Sequence, residues 1–200
     1  LLASAMWFIL TAGVLTVSEA TKRDILKHFR PRVDPVAIYH GIDPSHWTKR
    51  LTVPAKLAAS IRRLSPYILS VGRIEAKKNI VTLIKAFGEL AGRSPSFEKR
   101  GERRFPNLNL VLVGRPGHGY ADVADAIQAL PTAIRARIHE LGYVLDDRPW
   151  LQQAKLFAFP SAFEGFGLPP LEAMATGIPV VAANGTSLPE IVGDAGLLVD

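Results

Sequence analysis

Glu164 and Glu172 stand with seven residues between them in the stretch Pro160-Ser161-Ala162-Phe163-Glu164-Gly165-Phe166-Gly167-Leu168-Pro169-Pro170-Leu171-Glu172. A carboxylate accepts two hydrogen bonds at once, which suits the vicinal hydroxyls of a ribose or a hexose. A loop carboxylate followed by a helix carboxylate at this spacing can grip different parts of one extended ligand. Gly165 and Gly167 leave backbone N–H groups open to such a ligand, and the prolines sit where the first turn of a helix accepts them. The helix N-terminus adds positive potential there, a device for holding an anion or a sugar. An isolated glutamate pair is more simply a turn residue and a solvated helix position. The surrounding Gly/Pro pattern reverses that preference.

A second constellation, Gly72-Arg73-Ile74-Glu75-Ala76-Lys77-Lys78-Asn79, gathers cations after the apolar run Tyr67–Val71. Expulsion of a diphosphate builds charge on its oxygens in the transition state, and Arg73 with Lys78 can stabilise that charge without a divalent cation. A charged surface loop is the equal alternative. Val113-Gly114-Arg115-Pro116-Gly117-His118-Gly119 is a weaker signal, for which a structural turn is at least as good a reading.

Other chemistries lose weight. The chain has no G-x-x-x-x-G-K-[ST], no H-E-x-x-H and no G-x-S-x-G, and Gly165-Phe166-Gly167 lacks the third glycine of a dinucleotide fingerprint because position 170 is Pro. No metal-ligand spacing and no cofactor signature is present. NTPase, oxidoreductase, zinc-hydrolase and serine-hydrolase readings recede.

The elements that must carry these loops alternate between strand-like and helical patterns, as in a parallel sheet with crossover helices. The spacing predicts strands at Tyr67–Val71, Leu108–Val113, Leu141–Val144, Leu156–Phe159, Ile178–Ala182 and Leu197–Val199. Helices are predicted at Ile80–Ala91, Ala121–Leu130, Thr132–Glu140 and Leu171–Thr176, with residues 92–107 as an exposed polar loop. A doubly wound α/β domain follows, whose ligands lie beyond the carboxyl ends of the strands. Before it, Ser18 reads as the N-cap of a helix presenting Ile25, Leu26 and Phe29, and Val36–Tyr39 as a short strand. Residues 44–65 read as an irregular linker.

Composition is that of a globular chain of 200 residues, 48% hydrophobic and 21% charged, without cysteine. A disulfide framework and a thiolate metal site are thereby excluded. The net charge of +6 favours anionic partners, including the surface of an anionic membrane. The Lys/Arg pairs are scattered and not interleaved with aromatics, which argues against nucleic acid. Leu1 to Val17 is nearly all apolar but falls short of the ~20 residues of a membrane span. It reads as a buried helix end feeding a buried strand at Val14–Val17, with the chain beginning inside a larger domain.

Together these residues resemble glycosyltransferase family 4, enzymes with two Rossmann-like domains facing across a cleft (the GT-B architecture). Its E-x7-E element is matched by Glu164 and Glu172, and its G-R-x-x-x-K-K-N element by Gly72, Arg73 and Lys78. Ser187-Leu188-Pro189-Glu190, Gly193-Asp194-Ala195 and Thr16-Val17-Ser18-Glu19 are similar to the family as well. His40 departs from it, standing where relatives carry Asn.

The resemblance implies residues 1–43 as a remnant of the N-terminal acceptor domain, 44–65 as the linker and 66–200 as the nucleotide-sugar-binding Rossmann-like domain. It implies that Arg73 and Lys78, with Gly72, hold the diphosphate. Glu164 takes the donor sugar, Phe166, Gly167 and Leu168 offer backbone N–H groups, and Glu172 binds the ribose. The backbone near Val144 meets the base, and Gly114 lines the same site. The implied activity is retaining transfer of a hexose, mannose by preference, from a GDP- or UDP-sugar to a glycan or lipid-linked acceptor. Its setting is the cytoplasm, peripheral to the inner membrane face. With most of the acceptor domain outside this chain, little or no transfer is expected from it alone. A non-catalytic nucleotide-sugar-binding module working with a separate acceptor subunit is the alternative reading, and a GT-B phosphorylase or epimerase a more distant one.

Overall fold

The computed structural model describes residues 13–92 and 107–200. Six strands form one all-parallel sheet: β3 (Tyr67–Val71), β4 (Asn109–Val113), β5 (Ile138–Gly142), β6 (Leu156–Phe159), β7 (Val180–Ala183) and β8 (Leu197–Val199). Their spatial order is β5-β4-β3-β6-β7-β8. Counted from the first of the six, that is 3-2-1-4-5-6, the Rossmann order, with its reversal between β3 and β6. There Ile68 pairs with Leu156 and Leu69 with Phe157.

Alternate residues of the central strands feed two apolar layers. Leu69, Val111, Phe157 and Ala182 face one layer with Trp150, Leu188 and Val192. Ile68, Leu110, Leu112 and Ala158 face the other, against Ile84, Phe87 and Val123. Burial on both faces makes strands such as Tyr67–Val71 nearly continuous apolar runs, so they are legible without alternation. The helix Ile80–Gly92 buries Ile80, Leu83, Ile84, Phe87 and Gly88, the i, i+3, i+4, i+7 stripe of a helix lying on a sheet.

Several expectations are corrected. The third strand of the sheet is Ile138–Gly142 and not Leu141–Val144, and the helix before it stops at Arg135. This strand lies at the sheet edge, where one side has no partner strand among the described residues, and it accommodates His139 and Glu140 in place of an apolar run. Val144 therefore falls in the loop beyond it. Residues 44–65 are also not irregular: Pro44–Thr48 and Ala55–Leu64 are helices, and Ile61 and Leu64 enter the core. Gln152 donates from Nε2 to the carbonyls of Trp47 and Lys49, both at 2.9 Å, which pins this segment to the sheet domain.

The first segment pairs β1 (Leu15–Thr16) with β2 (Val36–Ala37) in parallel around the helix Glu19–Phe29, with Ser18 as its N-cap. The strand is shorter than Val14–Val17 and not fully buried, since Leu15 is 72% exposed. The expected helix end at residues 1–12, and all but the ends of the expected loop at 92–107, lie outside the described residues.

Candidate functional site

Both chemistry-bearing loops leave the sheet at the β3/β6 reversal. The chain after β3 turns at Gly72, and Ile74 then bridges in parallel to Pro116 of the loop after β4. The N–H of Ile74 donates to the Arg115 carbonyl at 3.0 Å, and that of Gly117 returns to the Ile74 carbonyl at 2.8 Å. A side chain on Gly117 would place its Cβ 2.7 Å from Arg73 Cδ, so this bare position leaves room for the Arg73 stem. The glycine-rich turn is thus the bed on which the cation loop rests. Arg73 is exposed, and its guanidinium makes no ion pair among the described residues.

The loop after β6 is tied to the cation loop itself. Ala162 donates its N–H to the Lys77 carbonyl at 2.8 Å, and Ser161 Oγ reaches that oxygen at 3.2 Å. These bonds draw the two loops together, and Lys78 Nζ forms an ion pair with Glu164 Oε1. Both side chains are largely shielded, at 15% and 13% exposure, so the attraction is less screened than at an open surface. The ammonium also stands 5.2 Å from the centroid of the Phe159 ring. Gly72, Arg73 and Lys78 line one small cleft with Phe159 and Pro160.

Gly167 caps the helix Leu168–Ala175 at φ 114, a conformation suited to glycine. With prolines in the first turn, the N–H groups of Phe166, Gly167 and Leu168 donate to no protein acceptor among the described residues. The Phe166 ring is buried, with His40 5.0 Å away edge-on and Tyr39 at 6.0 Å. Leu168 is partly exposed beside these open donors.

Glu172 lies in the next turn of that helix. Burial, with the Asp147 carboxylate beside it, pushes its carboxyl up to about 7. Burial raises Asp147 too, with Asp146 adding to the effect. Between the ordinary 4.5 and about 7, the folded chain holds a proton at Glu172 that the unfolded chain has released. Stability therefore falls as pH rises through that window, and the loss is complete above it. Glu172→Gln, which cannot ionise, is expected to melt near the wild type at pH 4.5 and above it at pH 8. Thermal melts across this range check it, and a pH-independent gap would defeat it.

Gly114 and Val144 are placed differently from the rest. Gly114 packs backbone to backbone against Gly72, and its N–H donates to the Gly142 carbonyl at 2.8 Å, so its visible role is in the turn. Val144 lines a groove with Leu57, Leu64 and Trp150, a different one from the cleft of Arg73 and Lys78. Sequence reasoning gave no site role to Asp147, Thr186 or Ser187. Thr186 Oγ1 accepts from the Glu164 N–H at 3.1 Å. Ser187 Oγ faces the carbonyls of Glu164 and Phe166 at 3.1 and 2.6 Å. The Ser187-Leu188-Pro189-Glu190 phrase was the available signal for that support.

Comparison with known proteins shows the family and the fold. The family model described as Glycosyl transferases group 1 matches residues 65–200. The chain is 37% identical over 195 residues to the O-antigen chain mannosyltransferase B of Escherichia coli, covering 94% of this chain and 47% of that protein. It is 35% identical over 129 residues to a serotype-specific mannosyltransferase, WbdA, of the same organism, covering 64% of this chain and 15% of the relative. The chain thus spans about half, or less, of these relatives. The crystal structure of Anabaena Alr3699/HepE in complex with UDP and glucose superposes with a TM-score of 0.76 at 23% identity, covering 99% of this chain and 52% of that one. The fold is therefore that of GT-B glycosyltransferases.

Proposed function

Because the chain belongs to the group 1 glycosyltransferases, we propose that it forms the nucleotide-sugar donor site of an enzyme transferring a hexose with retention to a glycan or lipid-linked acceptor. The observation that carries this reading is the meeting of Lys78 and Glu164 at the β3/β6 reversal, one from each half of the sheet. A cation and a carboxylate at one point suit a ligand whose diphosphate adjoins a hydroxyl-bearing sugar.

Arg73 and Lys78 take the diphosphate and stabilise its growing charge as the glycosidic bond breaks. Glu164 and the N–H groups of Phe166, Gly167 and Leu168 orient the hexose. Glu172 takes the ribose hydroxyls, and the backbone around Val144 meets the base. Mannose is the favoured sugar, carried on GDP or UDP, because the relatives in Escherichia coli are named as mannosyltransferases. The Anabaena protein with UDP and glucose supports a nucleotide-sugar donor. No described helix is long and apolar enough to cross a membrane. The basic chain suits a cytoplasmic enzyme touching an anionic membrane surface, where lipid-linked acceptors lie.

A thermal-shift panel of UDP, GDP, ADP and their sugars tests the site. Saturation about 100-fold above Kd adds about 2.7 kcal/mol, which is a rise of about 5–10 °C for a domain of this size. The rise should shrink in Glu172→Ala. No stabilisation by any nucleotide would sink the assignment.

A further inference from the structure

We propose that Glu190 is a positioning residue for the donor loop, acting through the helix Glu19–Phe29 on the peptide groups that face the sugar; this rests on the donor-site reading above. The argument begins with peptide geometry. In a trans peptide the C=O of one residue and the N–H of the next lie in one plane and point to opposite sides. Whatever grips a carbonyl therefore aims the following N–H away from itself.

The donor loop is gripped in this way at consecutive peptides. Ser187 Oγ lies 2.6 Å from the Phe166 carbonyl and 3.1 Å from that of Glu164 and shares its one proton between them, which aims the N–H of Gly167 and, less firmly, that of Gly165. The Gly165 carbonyl between them is met from the opposite end of the sequence. Ser18 Oγ stands 2.6 Å from it and Thr21 Oγ1 3.2 Å, which aims the Phe166 N–H. That N–H is one of the open donors at the site.

Ser18 and Thr21 belong to the first turn of the helix Glu19–Phe29, and that turn is seated by Glu190. Its two carboxylate oxygens accept from the N–H groups of Glu19 and Ala20, each at 3.0 Å. Oε2 also accepts from the Tyr39 hydroxyl at 2.8 Å. An anion with two aligned N–H donors at a helix N-terminus gains from the helix dipole as well as from the bonds. Ser187 and Glu190 sit three residues apart, Ser187 as the N-cap of the short helix Leu188–Val192 and Glu190 within it. One element thus grips the donor loop directly and, through Glu190, indirectly. Loss of the carboxylate loosens Ser18 and Thr21, and the Phe166 N–H with them.

The test compares ligands that do and do not reach this loop. Calorimetric affinities for GDP-mannose and UDP-glucose are measured against those for GMP and UMP, which lack the sugar and the second phosphate. Glu190→Ala should weaken whichever sugar nucleotide the wild type binds by about tenfold, the worth of one aimed hydrogen bond. The matching monophosphate should bind as before. Glu190→Gln keeps one acceptor oxygen but turns an NH2 towards the second N–H, so it should recover only part of the loss, and Ser18→Ala should reproduce the loss with milder effects on the fold. In 15N relaxation, the order parameters of Phe166 and Gly167 should fall in Glu190→Ala. Equal loss for both ligand classes, or loss for neither, overturns the positioning role. Wild-type protein that binds none of the four overturns the donor-site reading itself, and the proposal with it.

Discussion

The Lys78→Ala variant is expected to bind a sugar nucleotide on the order of 10²-fold more weakly than the wild type, the loss that follows from removing a charged hydrogen-bond donor to a diphosphate. It is also expected to melt lower. Glu164 is 13% exposed, and its ionic partner is the Lys78 ammonium. Removing that ammonium leaves a shielded carboxylate without a counter-charge, a change that costs about 2–3 kcal/mol for a pair retaining some solvent contact. In a domain of this size that is a fall of about 5–10 °C. A double variant separates the two effects. Lys78→Ala with Glu164→Gln removes both charges and should recover much of the melting temperature while binding stays lost, an interaction between neighbouring sites that single variants do not reveal. Undiminished affinity in Lys78→Ala would remove Lys78 from the diphosphate site.

Gly114→Ala is expected to be the most damaging change at the turn. Its φ of 151 is unfavourable for any side chain, and a Cβ there would overlap the Gly72 carbonyl oxygen and stand 2.7 Å from its carbon. The obstacle is backbone, so no rotamer change relieves it. Gly72 is held in turn by its N–H to the Val113 carbonyl at 2.9 Å, and it begins the cation loop. Relief therefore moves the loop that carries Arg73 and Lys78. A loss of about 3 kcal/mol or more is expected, with nucleotide binding abolished even where the protein still folds. Gly41→Ala, with nothing within 4 Å of its Cβ, should change melting little. A Gly114→Ala protein melting within a degree or two of wild type would show that the two turns do not need this contact.

What was legible follows from how each element is buried. Tyr67–Val71 and Leu156–Phe159 lie at the centre of the sheet between two apolar layers, so their composition alone marks them. Ile138–Gly142 is an edge strand carrying His139 and Glu140, and the more apolar residues just after it drew the expected strand forward. The helices at Pro44–Thr48 and Ala55–Leu64 were obscured by prolines and charges, and only two residues of the longer one are buried. Glu164, Glu172, Arg73 and Lys78 stood out through local phrases. The meeting of Lys78 with Glu164 is a property of strand order, which periodicity does not reveal. Ser18, Ser187 and Glu190 were the least visible. A serine at a helix start looks the same whether it caps its own helix or holds a distant carbonyl.

The strand order also constrains how the protein folds. Lys78 and Glu164 are 86 residues apart in sequence, and they meet only once β6 has docked beside β3. An intermediate holding the first half of the sheet has the cations without the carboxylates, and one holding the second half has the reverse. Neither contains the complete cleft. A ligand of this cleft binds the fully paired sheet in preference to either partial state, so its binding free energy adds to the stability of the whole domain. Saturating ligand should thus act as a non-covalent cross-link over this long-range contact, retarding the separation of the two halves of the sheet.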